Sequence, residues 1–291
     1  MCSSDLEFFN KITKNGIPKK TLNIVMGGVG GGKSLTLCHL TAGYLTQGKN
    51  VLYISLELSE EELSKRIDAN LMNITMDDLM VLPKDLYDKK IASIRQKTEG
   101  KLIIKEFATA TASTIHFRSL LNELNLKKGF VPDVIMVDYL NICASSRIKP
   151  GNGVNSYTYV KAIAEELRGL AVEHNVPVWS ATQLTRGGYG SSDPDLTDTS
   201  ESFGLPATAD FFVALITNEQ LEQLNQIMVK QLKNRYADPS RHKRDIIGVD
   251  KTKMRLYDVE ASAKDIVDTG EDIQKPKPKF ESKNKFKGLK V

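Results

Sequence analysis

The residues Gly27-Gly28-Val29-Gly30-Gly31-Gly32-Lys33-Ser34 match the pattern GxxxxGK[ST]. Glycines let a loop take φ > 0 and turn several backbone N–H groups toward one point, which suits the oxygens of a phosphate chain. The lysine suits the β- and γ-phosphates, and the hydroxyl suits Mg²⁺. That chemistry requires a strand before the loop and a helix after it. TLNIVMGG (21–28) reads as a buried strand, and KSLTLCHLTAGYLTQG (33–48) reads as a helix ending on Gly48. Gly27 through Leu35 are therefore the expected nucleotide-binding stretch, aided by the positive end of the helix dipole. The expected ligand is ATP or another nucleoside triphosphate with Mg²⁺.

Three further polar residues close apolar runs. Asp138 ends VIMVD (134–138), Glu57 sits near the end of YISLEL (53–58), and Gln183 ends WSATQ (179–183). Ligands of open α/β sheets bind at the carboxyl ends of the strands. Asp138 is expected to support Mg²⁺ together with Ser34, directly or through water. Glu57 can face the γ-phosphate and orient an attacking water. The Gln183 amide can hydrogen-bond a γ-phosphate and report its hydrolysis to the loop that follows.

The elements that must position these groups alternate. Helical patterns cover 5–14, 33–48, roughly 59–70, 84–98, 114–127 and 155–174. Ser59 with Glu62 forms a capping box at the start of the third. Strand patterns cover 21–28, 50–58, 101–107, 133–140, 177–183, 210–216, 227–234, 245–250 and 253–260. Strands alternating with helices imply βαβ units and an α/β fold with a mostly parallel, twisted sheet flanked by helices.

Composition excludes several classes. The chain has 291 residues, 41% apolar and 26% charged, as in ordinary globular domains. No apolar run approaches the roughly 18 residues of a membrane span, so no membrane role is expected. Cys2, Cys38 and Cys143 are scattered and odd in number, which fits a reducing cytoplasm better than a secreted disulfide framework. Cys38, Cys143 and Trp179 fall in apolar patterns and are expected in the core. The four histidines (39, 116, 174 and 242) have no metal-ligand spacing. The net charge is +4, and residues 262–291 hold eight Lys against five Asp or Glu, which leaves +1 for the rest. That stretch is Lys- and Pro-rich and is expected to be a disordered tail. The nearly neutral body means that any nucleic-acid contact must come from particular loops.

In order along the chain, GGVGGGKS, ISLEL with Glu57, IMVDYL with Asp138, SATQLTR with Gln183 and KNR at 233–235 resemble the RecA-like motor domain of DnaB-type hexameric replicative helicases. Within that family, RIDAN (66–70), FRSLLNEL (117–124), SYTYVKAIAEELRGLAVE (156–173) and GLPATADF (204–211) resemble the T-even-type phage branch. The resemblance covers about residues 6–260 and implies a RecA-like P-loop NTPase fold. It implies an ATP-driven helicase moving 5′-to-3′ on single-stranded DNA as a homo-hexamer, with a primase and a helicase loader as partners, in the host cytoplasm if phage-encoded. Lys33, Ser34, Asp138 and Glu57 would act in cis, while Lys233 and Arg235 would reach a neighbour's γ-phosphate. Arginine suits that role through its planar fork of donors. A RecA-like recombinase that forms filaments shares most of these motifs, and an inactive P-loop assembly partner is a third reading.

Single-stranded DNA would be held by its backbone from two loops. Arg186, Tyr189 and the N–H groups of Ser202, Phe203 and Gly204 belong to the loop after Gln183; Arg147 and Lys149 belong to 145–154. Phosphate contacts of this kind are sequence-blind and salt-sensitive. Two departures stand out. Many DnaB-type chains have Arg before Glu-Ser, whereas this one has Ser200 before Glu201 and Ser202. The family also carries an N-terminal domain and a linker helix, and here only about 20 residues precede the first strand. The expected organisation is an N-terminal segment with a linker-like helix (1–20), a motor domain (21–261) and a tail (262–291), in a truncated product or a motor-only version. The linker-like helix either docks on an adjacent subunit or packs on its own body.

Overall fold

The computed structural model describes residues 5–149, 154–184, 195–196 and 204–260. Among these described residues nine strands form one sheet: β1 (Leu22–Gly27), β2 (Val51–Ser55), β3 (Leu102–Glu106), β4 (Val134–Asp138), β5 (Val178–Gln183), β6 (Phe211–Ile216), β7 (Gln226–Asn234), β8 (Arg244–Asp250) and β9 (Arg255–Asp258). Their order is β3-β2-β4-β5-β1-β6-β7-β8-β9. The six strands from β3 to β6 are parallel, and β7, β8 and β9 extend the sheet antiparallel.

The helices are α1 (Glu7–Thr13), α2 (Lys33–Thr46), α3 (Glu60–Met72), α4 (Met76–Val81), α5 (Lys84–Lys97), α6 (Thr114–Lys128), α7 (Ser156–His174), α8 (Gly204–Thr208) and α9 (Glu219–Gln223). Alternate side chains of the central strands enter two separate cores. Leu22, Ile24 and Met26 of β1, with Leu52 and Ile54 of β2, pack with Phe117 and Leu121 of α6 and Ile163, Leu167 and Leu170 of α7. Val25, Val51 and Tyr53 point the other way, onto Leu37, Cys38 and Tyr44 of α2 and Leu63 and Ile67 of α3. A sheet covered on both faces explains the unbroken apolar strands in the sequence. Trp179 is buried and donates from Nε1 to the Tyr44 hydroxyl at 2.9 Å, and Cys38 and Cys143 are buried as expected.

The strand ends differ from the sequence reading for local reasons. The second strand stops at Ser55, not at 58, because the Ser55 hydroxyl donates to Leu58 O at 2.6 Å and accepts from Leu58 N at 3.0 Å. That side-chain turn replaces the ladder. Short helices α4 and α9 were not expected; Thr75 and Asn218 cap them by accepting from the N–H groups of Asp78 and Leu221. Both carry too few apolar positions for a periodicity to show.

The linker-like helix packs on its own chain. Leu6, Phe8, Phe9 and Ile12 are buried in the core over α2. Asn234 Nδ2 donates to Ile12 O at 2.6 Å, and Asp258 accepts from Glu7 N at 3.0 Å. In this single chain α1 lies on the body of the domain. Phe9→Ala is therefore expected to cost about 3–5 kcal/mol, as for other buried Phe truncations. Urea denaturation measures it, and a loss below about 1 kcal/mol would mean that α1 contributes little to the fold.

Candidate nucleotide site

Because six neighbouring strands run parallel, their carboxyl ends share one edge. Register places Gly27 beside Gln183 and Ser55 beside Asp138. The loop after β1 then turns sharply into α2. Gly32, the residue before the helix, holds φ +85°, a left-handed conformation that side chains resist. At Gly31 a Cβ would stand 3.0 Å from Gly28 N and 3.1 Å from Gly28 O, so the loop closes on itself only without one. A cavity of about 300 Å³ results, lined by Val29, the 30–35 stretch, Glu57 and Gln183 on one side and by Ile227, Val249 and Met254 on the other.

Lys33 is buried and donates from Nζ to the carbonyls of Gly28 at 2.7 Å and Gly27 at 3.3 Å. Burial lowers its pKa, and the nearby charges of Glu57 and Asp138 act against that. Its partners are neutral carbonyls, so phosphate oxygens offer it a charge-assisted exchange.

Asp138 lies behind the loop, 1% exposed. Burial raises its pKa, while the Ser34 hydroxyl, the Tyr53 hydroxyl and Lys33 favour its charged form. Tyr53 donates to Oδ2 at 2.9 Å. Oδ1 is fully buried and makes no hydrogen bond of good geometry, although Ser34 is close. A buried carboxylate oxygen beside a hydroxyl is a hard-oxygen pair of the kind Mg²⁺ takes. Ser34 and Asp138 therefore fit the ion expected there.

Gln183 ends β5 and donates from Nε2 to the Tyr139 hydroxyl at 3.0 Å. Burial raises the Tyr139 pKa, and the charges of Glu57 and Asp138 raise it further. Glu57 itself is exposed, in the bend just past β2. Lys33, Ser34, Glu57, Asp138 and Gln183 thus come from four strand ends to one place.

A family model, the DnaB-like helicase C terminal domain, matches residues 2–254. The chain belongs to this family. It is 48% identical over 258 residues to the DnaB-like replicative helicase of Enterobacteria phage T4, covering 88% of this chain and 54% of that one. It is 25% identical over 207 residues to the replicative DNA helicase DnaB of Helicobacter pylori, covering 69% of this chain and 41% of that one. The chain thus spans about half the length of these relatives, or less. Two solved structures share the fold. One is a DnaB-like replicative helicase studied with primase (TM-score 0.71, 18% identity, 89% of this chain and 62% of that one). The other is an ATPase domain (TM-score 0.72, 17% identity, 89% of this chain and 91% of that one).

The remaining expected residues of this DnaB-like domain lie elsewhere. Lys233 and Arg235 sit at the opposite end of β7 from Gln226 and Ile227, which line the cavity. Lys233 Nζ donates to Pro206 O at 2.6 Å and Ala207 O at 3.0 Å; Arg235 Nη1 donates to Asp210 Oδ1 at 2.8 Å. Arg147 and Lys149 are exposed, and Arg147 pairs with Glu165 at 2.7 Å. Gly204 is buried against Lys161 of α7. Arg186, Tyr189, Ser202 and Phe203 lie outside the described residues.

Sequence reasoning missed Tyr53 and Tyr139 as partners of Asp138 and Gln183, since an aromatic in a buried strand carries no visible mark of its hydroxyl's use. It also missed Arg66, which lines the cavity from α3 and pairs with Glu62 at 3.0 Å.

The Asp138 environment has a consequence for stability. A raised carboxyl pKa means the folded chain holds the proton more tightly, so stability falls as pH rises through the interval between the unfolded and folded values. Asp138→Asn removes that penalty. Without nucleotide or metal it is expected to raise the melting temperature at pH 8, with the gain fading below about pH 4, the ordinary carboxyl value. Calorimetry at both pH values measures it, and a lowered melting temperature at pH 8 would contradict the electrostatic description.

Proposed function

We propose that this chain is the motor of an ATP-dependent replicative DNA helicase that moves 5′-to-3′ on single-stranded DNA as a ring. Family membership supports the class of activity. The observation that carries the mechanism is geometric: the phosphate cradle and Arg235 sit at opposite ends of one sheet. From Gln226 to Arg235 the strand runs roughly 30 Å, at about 3.3 Å per residue. No side chain spans that, so Arg235 cannot serve its own cradle. A second copy, stacked head to tail, brings its Arg235 to the Lys33 of the first. Such heterologous contacts close into rings or continue as filaments. A closed ring of six is what the family resemblance implies.

In this reading Lys33 leaves its two carbonyls for the β- and γ-phosphates of ATP or another triphosphate. Ser34 and Asp138 would hold Mg²⁺, which would supply neutralising charge to the phosphates. Glu57, exposed at the cavity mouth, orients the attacking water and accepts its proton. Gln183, tied to Tyr139, contacts the γ-phosphate and passes its loss to the chain that follows. Arg186 and Tyr189, and the backbone of Ser202, Phe203 and Gly204, ride on that segment and grip the DNA backbone, with Arg147 and Lys149 as a second contact. Lys233 accompanies Arg235 at the neighbour's phosphate. The solved relative studied with primase supports a primase partner, and a loader follows from the resemblance. No helix among the described residues is long and apolar enough to cross a membrane; the proposed site of action is the host cytoplasm of a phage-encoded protein.

The test is ATP turnover with and without single-stranded DNA, together with unwinding of a fork bearing a 5′ tail. Glu57→Gln is expected to keep nucleotide binding and lose at least ~10²-fold in turnover. Arg235→Ala is expected to bind nucleotide normally and lose about 10³–10⁵-fold of the DNA-stimulated rate. Full stimulated turnover in Arg235→Ala would sink the shared-site mechanism.

A further inference from the structure

At the amino end of β6, one buried acid holds two arginines. Asp210 is 3% exposed and sits beside the start of β1, where its Oδ2 accepts from Leu22 N at 3.0 Å. Arg168 of α7 donates to it through a two-pronged contact, Nε to Oδ2 at 3.0 Å and Nη2 to Oδ1 at 3.2 Å. Arg235 reaches the same Oδ1 at 2.8 Å. Lys233 stands close enough that the charges of Arg235 and Arg168 add to the effect of burial in lowering its pKa. Three cations thus surround one carboxylate, on a cleft of about 550 Å³ that both arginines line.

The arrangement poses a problem for the proposed function. If Arg235 serves a neighbour's terminal phosphate, it must leave Asp210. A buried carboxylate stripped of its partner is strongly destabilising. Arg168 resolves this, because its fork contacts both oxygens of Asp210 independently of Arg235. Its side chain is 38% exposed, at the cleft wall. The other side-chain contact of Arg235 among the described residues, Nη2 to Ala207 O at 3.4 Å, is long and neutral. We propose that Arg168 is a positioning residue that keeps Asp210 charge-balanced, so that Arg235 can exchange its own chain's carboxylate for a neighbour's γ-phosphate. The inference rests on the trans role proposed for Arg235 and assigns the counter-charge that makes the exchange reversible. Without Arg168, Asp210 would have one arginine partner and Arg235 would stay on it.

The experiment is DNA-stimulated ATP turnover by the full chain, with KM for ATP, nucleotide binding and melting temperature measured in parallel. Arg168→Gln is expected to lower kcat at least tenfold with KM within about twofold, since Lys33 and the glycine loop proposed to hold the nucleotide are unchanged. Arg168→Lys keeps the charge and is expected within about threefold of wild type. Adding Asp210→Asn to Arg168→Gln removes the carboxylate that holds Arg235, and is expected to restore at least threefold of the lost turnover. Wild-type kcat in Arg168→Gln, or equal losses in the Lys and Gln variants, would overturn the proposal while leaving the trans role of Arg235 intact if Arg235→Ala is impaired. Wild-type turnover in Arg235→Ala itself would remove the premise.

Discussion

Parallel pairing is the constraint from which the site follows. Strands that run the same way end on the same edge, so residues far apart in sequence arrive together without any loop having to reach. Gly27 meets Gln183 and Ser55 meets Asp138 because their strands are hydrogen-bonded in register. The same edge gathers Lys33 and Asp138, both buried, where each perturbs the other's ionisation. Burying both charges is costly on its own. In the proposed mechanism, once Lys33 has left the carbonyls of Gly27 and Gly28, the low dielectric lets these two charges act strongly on a triphosphate and its metal.

The antiparallel extension does the converse. β7 starts at the cavity and carries the chain back to the far end, delivering Lys233 and Arg235 to a place their own cradle cannot use. In the proposed mechanism one strand thereby links two half-sites, one at each end of the sheet. The antiparallel ladder of β6, β7 and β8 joins these two ends of the sheet.

The chain after β4 is fastened at several points. Glu166 of α7 accepts from Thr114 Oγ1 at 2.9 Å, Ser145 Oγ at 2.6 Å and Ser146 N at 2.9 Å, and the Ser146 hydroxyl adds a fourth donor. Burial opposes its ionisation, but these donors outweigh burial and hold its pKa below the ordinary value. Residues 145–148 are thus laid along α7, and Arg147 is occupied by Ala162 O and Glu165. Any service of Arg147 to a DNA phosphate means trading one carboxylate for another anion, which softens its contribution relative to the exposed Lys149.

Much of this was open to reading in the linear chain. The phosphate loop is a local object: its glycines, lysine and serine are contiguous, and the flanking periodicities declare a strand and a helix. Five of the six parallel strands were legible because burial on both faces forces continuous apolar runs, whereas the edge strand β3 is only half-buried, and Asp138 and Gln183 stood out by ending such runs. Short α4 and α9 were not legible, since single turns are decided by a cap rather than by a period. What folding alone decided is everything that depends on two distant segments meeting. The hydroxyls of Tyr53 and Tyr139 became partners of Asp138 and Gln183, α1 settled on its own body, and Arg168 and Arg235 converged on Asp210. Those pairings come from strand order and helix packing, which no local spacing encodes, because side chains tens or hundreds of residues apart acquire a distance only once the sheet is built.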